Sequence, residues 1–347
     1  MPDQRLPASV RRLRLTLTFL LLAVALPAVA VPNVATDVTP VHSLVSQVME
    51  GVGEPRLVIQ RGASPHSYAM RPSEAAALEN ANVVFWVGEE LTPWLGHALG
   101  NLAPDARQVA LLHAEGTLRH AFRERVLTET AGHENHDHAD EHGHDAEEHD
   151  THGHDDHAEE VDDHHGHDHA GHAHGGIDPH AWLDPVNARR WLAVIAETLA
   201  EEDPANAPIY RRNAEAGQAE IDALLEHVQG EVSPVHEQAF IVFHDAYQYY
   251  ERRFDMNTVG AISLSDATDP SPAHLAEIRE IVGEYDVQCV FAEPQFNPAL
   301  VDTVLDGTSA RTGVLDPLGS DIATGPDFYP TLIRQLTDRL VSCLAGS

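Results

Sequence analysis

The chain has 347 residues, with 55 acidic side chains against 21 basic ones, and every basic side chain is an arginine. The formal net charge of −34 excludes a general nucleic-acid binder and a protein that docks on anionic lipid through a basic patch. Hydrophobic residues make up 43% of the chain, which is enough to form a folded core. The length is typical of about two domains.

The first 30 residues have the pattern of a secretion signal. Four arginines precede an uncharged apolar run over residues 15–26, and Ala28 and Ala30 supply the small residues that a signal peptidase recognises. The apolar run is shorter than the roughly 20 residues of a membrane span, and a retained N-terminal anchor is the alternative. We expect residues 1–30 to be a cleavable signal peptide, cut after Ala30, and the mature protein to be exported.

Short apolar runs then alternate with segments of helical periodicity from residue 31 to residue 205. The predicted strands are Val34–Val38, Arg56–Gln60, Val83–Val87 and Gln108–Leu112, and the predicted helices are Val41–Glu50, Ser73–Asn80 and Pro93–Leu102. Further along, Asp184 and Pro185 have the residue types of a helix cap and a first helical position. This alternation is typical of a mostly parallel sheet covered by helices, so we expect residues 31–205 to form one α/β lobe.

A segment of unusual composition interrupts this lobe at residues 132–176. It contains 15 of the 25 histidines and 15 acidic residues, with almost no apolar side chains. Such a segment cannot bury enough surface to offset the entropy lost on ordering, so we expect a disordered loop. Neutral imidazole is a good ligand for zinc, copper or nickel, which indicates a metal-attracting insertion that recruits or buffers ions. A solvated acidic linker with incidental histidines is the alternative.

A second α/β rhythm follows a long helix, which is predicted over Ala207–Gly230 within a linking segment at residues 206–231. The predicted strands of residues 232–347 are Phe240–Phe243, Thr258–Ile262, Val287–Phe291 and Gly313–Leu315, and the predicted helices are Ala246–Phe254, Pro272–Tyr285, Pro298–Thr308 and Phe328–Leu344. The expected fold class is therefore α/β, with two lobes of mostly parallel sheet joined by one long helix. A ligand would bind in the cleft between them, beyond the carboxyl ends of the strands.

The two cysteines, Cys289 and Cys343, both lie in the second predicted lobe. An exported protein can form disulfides, and a bridge closing a loop of this length would stabilise the fold by about 3–4 kcal/mol. Two separate buried thiols are the alternative, and we favour the bridge.

Three histidines outside the insertion lie at corresponding places in the predicted folds. His66 lies six residues after the predicted strand that ends at Gln60, His180 directly precedes the capped helix, and His244 follows an apolar strand. Because loops at the carboxyl ends of parallel strands share one edge of a sheet, we expect the three to converge in the cleft. One such histidine is more often structural, but three in an exported chain with a metal-attracting insertion predict a metal site.

Five motifs carry a resemblance to a known family: GASPHSY with RPSE, DPHAWLDP, FHDAYQYYERRF, FAEPQFNP and LDPLG. In order and spacing they resemble the periplasmic zinc-binding proteins of metal ABC transporters, the metal-specific cluster of solute-binding proteins. The match extends over nearly all of the mature chain outside the insertion. The resemblance implies two α/β lobes linked by one rigid helix, with Zn²⁺ bound between them by His66, His180 and His244.

The same resemblance implies further properties. It pairs Cys289 with Cys343 in a disulfide, places the protein in the periplasm and implies an inner-membrane ABC permease as partner. Periplasmic zinc chaperones are further candidate partners, and the expected state is a monomer that binds no nucleic acid.

The choice of metal depends on the third ligand. Manganese-binding relatives tend to carry a carboxylate where His244 stands, whereas three neutral imidazoles favour zinc. Since Pro65 stands where some zinc-binding members carry an acid, water is the simplest fourth ligand and Asp316 is the protein candidate. Glu293 is a candidate for orienting a ligand from behind.

Other function classes stay open beside zinc import. They are a protein that binds manganese or another divalent metal, a metal-dependent adhesin, and a periplasmic zinc store. An enzyme is disfavoured because the sequence contains no HExxH, GxSxG or P-loop motif. We therefore predict a transport component that is not an enzyme.

Overall fold

The computed structural model describes residues 31–123, 176–263 and 270–346. The predicted signal peptide and the predicted disordered loop, apart from Gly176, lie outside these residues. Within the three described ranges, no helix is both long enough and apolar enough to cross a membrane.

The first half of the described chain forms a parallel sheet of four strands. The strands are β1 (Val34–Thr36), β2 (Arg56–Leu57), β3 (Val83–Trp86) and β4 (Arg107–Ala110), in the spatial order β2-β1-β3-β4. The connecting helices are α1 (Thr39–Val48), α2 (Pro72–Glu79) and α3 (Pro93–Leu102). Because β3 is buried along its whole length, it is a continuous apolar run without alternation.

Two consecutive helices follow the turn that opens the second described range, residues 176–263, and they pack along each other. Helix α4 (Pro185–Glu202) begins after Asp184, whose Oδ1 accepts a hydrogen bond from the amide of Val186 at 2.9 Å, so the predicted cap is confirmed. Helix α5 (Ala207–Val232) is the predicted long helix and ends two residues later than expected. It packs against α4 and α1 and against the C-terminal helix through a buried stripe.

The second half of the chain forms another parallel four-stranded sheet with the same strand order. Strands β5 (Phe240–His244), β6 (Thr258–Ser263), β7 (Cys289–Ala292) and β8 (Arg311–Val314) lie in the order β6-β5-β7-β8. Its helices are α6 (Gln248–Phe254), α7 (Pro272–Glu284), α8 (Ala299–Leu305) and α9 (Phe328–Ala345). In both sheets the first strand lies between the second and the third, so the chain continues first on one side of it and then on the other. This reversal of strand order places a ligand crevice at the carboxyl end of the first strand.

The structure shifts several predicted boundaries by one to three residues. Strand β2 ends at Leu57 rather than Gln60, although the amide of Val58 still donates to the carbonyl of Thr36 at 2.9 Å. Helix α8 begins at Ala299, one residue later than predicted. Such ends depend on the last hydrogen bond of an element, which residue types constrain less than they constrain its interior.

One connected cluster of buried apolar side chains includes residues of both sheets. Helix α9 links the two halves directly, because the hydroxyl of Ser43 on α1 donates to the carbonyl of Pro326 and accepts from the amide of Tyr329, each at 2.9 Å. A disulfide joins Cys289 of β7 to Cys343 of α9, as the resemblance implied. The two halves of the described chain therefore share one hydrophobic core.

Candidate metal centre

The three predicted ligands come from three different parts of the fold. His66 lies in the loop after β2, His180 lies in the turn before α4, and His244 is the last residue of β5. His180 and His244 are buried, and His66 is half-buried. Both halves of the chain therefore contribute an imidazole to the same place.

Two of the three spacings between the rings agree with what one zinc ion would require. The ring centres of His66 and His180 are 5.8 Å apart, and those of His180 and His244 are 5.3 Å apart. Imidazoles bound to a tetrahedral zinc at the usual bond length have ring centres about 5 Å apart. Within the described ranges, no three His, Cys, Asp or Glu side chains already form a metal-holding group.

A small cavity lies among the three rings. Its walls also include Trp182, Phe296, Pro317 and Leu318. It leaves about 20 Å³ for the centre of a water-sized sphere, which holds one water or one ion but excludes an organic solute. A larger groove of about 810 Å³ between β8 and α9 is lined by no histidine. The size of the small cavity and the three imidazoles around it therefore point to an inorganic cation.

A carboxylate fixes the ring of His180. Asp178 is fully buried, and its Oδ1 accepts hydrogen bonds from Nδ1 of His180 at 2.8 Å and from the amide of the same residue at 2.9 Å. Burial raises the pKa of Asp178 to about 8. A hydrogen bond from Nδ1 to Oδ1, which can accept whether or not the carboxyl group carries its own proton on Oδ2, leaves the ligand lone pair on Nε2, which is the usual arrangement behind a metal-binding histidine.

A second carboxylate acts on His244 in the same way. Oε1 of Glu293 accepts from Nδ1 of His244 at 2.7 Å and from its amide at 3.3 Å. The pairing follows from topology, because His244 ends β5 and Glu293 directly follows β7, the neighbouring strand. The expectation that Glu293 orients a ligand from behind agrees with this contact.

An aromatic pair holds the loop that carries His66. The indole N–H of Trp94 donates to the carbonyl of Pro65 at 2.8 Å, and the Trp94 ring contacts Tyr68. The hydroxyl of Tyr68 in turn donates to Glu74 at 2.9 Å. The loop is therefore tied to α2 and α3 on both sides of the histidine.

The structure does not support Asp316 as a fourth ligand. Its two carboxylate oxygens accept hydrogen bonds from the amides of Leu318, Gly319 and Ser320, from the hydroxyl of Ser320 and from the side-chain amide of Gln295. It is also absent from the residues that line the small cavity. Asp316 instead shapes the loop that forms one wall of the cavity.

Two supporting residues escaped the sequence analysis. Asp178 precedes His180 by two residues in the motif IDPH, and this short acid–turn–histidine pattern was the available signal. Trp94 is distant in sequence from Pro65, and no local pattern relates them. A tertiary contact of that kind is visible only in the folded chain.

Two parallel α/β units with histidines from both at one cavity form the architecture of the two-lobed solute-binding proteins. The profile of one protein family, described as zinc-uptake complex component A periplasmic, matches residues 34–343. The chain therefore belongs to this family, which is a family of transport components rather than of enzymes.

Individual relatives agree with this assignment. The high-affinity zinc uptake system protein ZnuA of Brucella suis biovar 1 (strain 1330) is 47% identical over 313 residues, which are 90% of this chain and 92% of the relative. The protein of the same name from Paracoccus denitrificans (strain Pd 1222) is 45% identical over 339 residues, covering 97% and 99%. A crystal structure of ZnuA matches with a TM-score of 0.65 at 20% identity, over 90% of this chain and 98% of its own. The predicted family and fold class are confirmed.

Proposed function

We propose that this chain captures Zn²⁺ with His66, His180 and His244 and delivers it to the membrane permease of an ABC importer. The observation that carries the proposal is the spacing of three imidazole rings, 5.8 and 5.3 Å between centres, around a cavity of one-ion size. Membership of a zinc-uptake family and relatives named for zinc uptake support the choice of metal and cargo.

The donor set favours zinc over harder cations. Three neutral imidazoles suit zinc, whereas manganese prefers sites richer in oxygen donors. Asp178 and Glu293 hold two of the rings in one orientation, which lowers the entropy lost when the ion binds. Since Asp316 is committed to its own loop, water takes the fourth position. A bound ion with one exchangeable ligand suits a protein that must release its cargo.

The organisation around this site belongs to the same proposal. Residues 1–30 are removed after Ala30, and the mature chain works in the periplasm as a monomer. It comprises an N-terminal lobe at 31–205, a linking helix at 206–231 and a C-terminal lobe at 232–347. The His-rich insertion supplies weaker, fast-exchanging zinc sites, and zinc chaperones are candidate donors.

The test is the affinity of the tightest zinc site in single-alanine variants of the three histidines. Each of His66→Ala, His180→Ala and His244→Ala should weaken that site by about 100-fold or more, because a ligand is lost from a three-histidine set. His227→Ala, an exposed histidine on α5, is the matched control and should leave affinity unchanged.

The insertion requires a second arm of the same experiment. Chains with and without residues 132–176 should share the tight site and differ in the number of zinc ions bound, as measured by native mass spectrometry. If the triple alanine variant without the insertion bound one zinc as tightly as the unsubstituted chain, the ligand assignment would be wrong. Equal stoichiometry with and without the insertion would contradict the role given to it.

A further inference from the structure

Two short segments that are far apart in the chain, one ending at Arg123 and the other beginning at Gly176, are paired with each other. We call residues 120–123 and 176–178 the stem. The amide of Phe122 donates to the carbonyl of Gly176 at 3.1 Å, and the neighbouring residues form an antiparallel bridge. Residues 121 and 122 are therefore paired with residues 176 and 177.

The stem includes Asp178, the residue whose side chain holds the ring of His180. The amide of Asp178 donates to the carbonyl of His120 at 2.9 Å, and the Asp178 side chain accepts from the ring of His180. Tyr249 on α6 links both halves of the stem, since its hydroxyl donates to the carbonyl of Asp178 at 2.8 Å and accepts from the amide of His120 at 3.0 Å. The stem is thus packed on the segment that follows His244.

Arg123 makes the strongest of these connections. Its guanidinium forms a two-pronged contact with Asp245, the residue after His244, and its Nη1 donates to Oε2 of Glu251 at 2.7 Å. Asp245 and Glu251 are 5% and 4% exposed, so two carboxylates are buried against one cation. Burial by itself would lower the pKa of the Arg123 guanidinium, but the adjacent Glu251 and Asp245 outweigh burial and raise it.

We propose that Arg123 is a positioning residue for the zinc site, one that ties the stem to the segment carrying His244 and thereby sets the distance between His244 and His180. The inference rests on the proposed function. Because the guanidinium of Arg123 is planar and is held by two carboxylates, it fixes both the distance and the relative orientation of the segments that it joins. Displacing the stem would shift Asp178, which orients one ligand, and Asp245, which adjoins the other. The stem is therefore connected to the metal site through Asp178 and Asp245.

A purely structural ion pair is the competing explanation. Removing one partner of a buried pair leaves an uncompensated charge and destabilises the fold wherever the pair lies. Stability alone therefore does not separate the two explanations. The separating observable is the state of the two imidazoles in a folded variant, since a positioning residue changes their hydrogen bonds and a remote ion pair does not.

The experiment compares Arg123→Met and Arg123→Lys with Arg211→Met in the full-length mature chain. Arg211 on α5 forms a two-pronged pair with Glu197 alone, and both of these side chains are exposed. Two readouts are the NMR signals of the Nδ1 protons of His180 and His244 and the zinc affinity of the tightest site. A competing chelator keeps zinc below the level at which isolated imidazoles bind.

Arg123→Met should shift both Nδ1 proton signals and weaken zinc binding by about tenfold or more, the range seen when outer support of a metal ligand is lost. Arg123→Lys keeps the charge but loses the fork, so it should give a smaller change in the same direction, and it decides the question if the methionine variant fails to fold. Arg211→Met should change neither readout. Arg123 variants that match Arg211→Met in both readouts would overturn the proposal.

His244→Ala in the same series separates this inference from the proposed function. If His244→Ala retains tight zinc binding, the ligand assignment itself has failed. If His244→Ala loses zinc while the Arg123 variants behave like the unsubstituted chain, the ligands stand and only the positioning role is wrong.

Discussion

Replacing Glu293 with glutamine measures what the carboxylate behind His244 contributes to zinc affinity. Oε1 of Glu293 accepts the Nδ1 hydrogen bond of His244 at 2.7 Å, and both side chains are more than nine-tenths buried. Glutamine keeps the length and an acceptor oxygen but removes the charge. A hydrogen bond to a charged group contributes about 1.5–3 kcal/mol and a neutral one about 0.5–1.5 kcal/mol. The midpoints of these two ranges differ by about 1.25 kcal/mol, which corresponds to somewhat under tenfold in the dissociation constant.

The assay is a competition titration in which a chelator and the protein share limiting zinc. Glu293→Gln should weaken the tightest site by about tenfold. Glu197→Gln removes a carboxylate from an exposed arginine pair on the surface and is the matched control. It should leave zinc affinity unchanged, because an exposed ion pair contributes little to a remote site.

Two results would refute the reasoning. An unchanged affinity in Glu293→Gln would show that the carboxylate does not support His244 as a ligand. A loss as large as that of His244→Ala would show that Glu293 binds the ion itself rather than orienting the imidazole.

The remaining predictions concern residues away from the three ligands. Asp316→Ala should lower the free energy of unfolding by about 3 kcal/mol, because its carboxylate accepts several hydrogen bonds within its loop; a fall in zinc affinity as large as that of His66→Ala would restore it as a ligand. Burial raises the pKa of Asp37 from its ordinary 3.8 to about 7, so the folded state holds a proton that the unfolded state releases, and the stability contributed by this group falls as the pH rises from about 4 to about 7. Asp37→Asn should remove up to about 4 kcal/mol of that dependence in urea unfolding, and identical pH profiles in both chains would contradict the assignment. Replacing Cys289 and Cys343 with alanine opens a loop with a sequence separation of 54 residues and should cost about 4 kcal/mol in the same assay; an unchanged urea midpoint would count against it.

Local patterns predicted the elements where one element carries its own signal. The apolar run FIVF predicted β5 to within one residue, and Asp184 followed by Pro185 predicted the start of α4. Boundaries were less accurate, as at β2, which ends at Leu57. The accurate elements and the inaccurate boundaries have the same cause. The interior residues of an element are selected by burial, whereas the position of its ends depends on contacts made by distant segments.

Asp316, the protein candidate for the fourth ligand beside the favoured water, shows the limit of motif reasoning. Its position in LDPLG is compatible with a metal ligand, and residue type does not distinguish a ligand from a loop anchor. In the fold its oxygens are occupied by amides two to four residues along the chain and by Gln295. The competition between backbone donors and an ion is settled by the conformation of that loop.

The sequence by itself determined the α/β class, the family and three candidate histidines, because periodicity, caps and motif spacing are properties of short segments. Only the tertiary structure decided which side chains stand behind those histidines. Asp178 and Glu293 each hold a histidine of their own half, whereas Arg123 contacts Asp245 across the junction between the halves, and strand order and packing create that junction. A metal site depends on the distances between segments far apart in the chain, and those distances exist only once the shared core has formed.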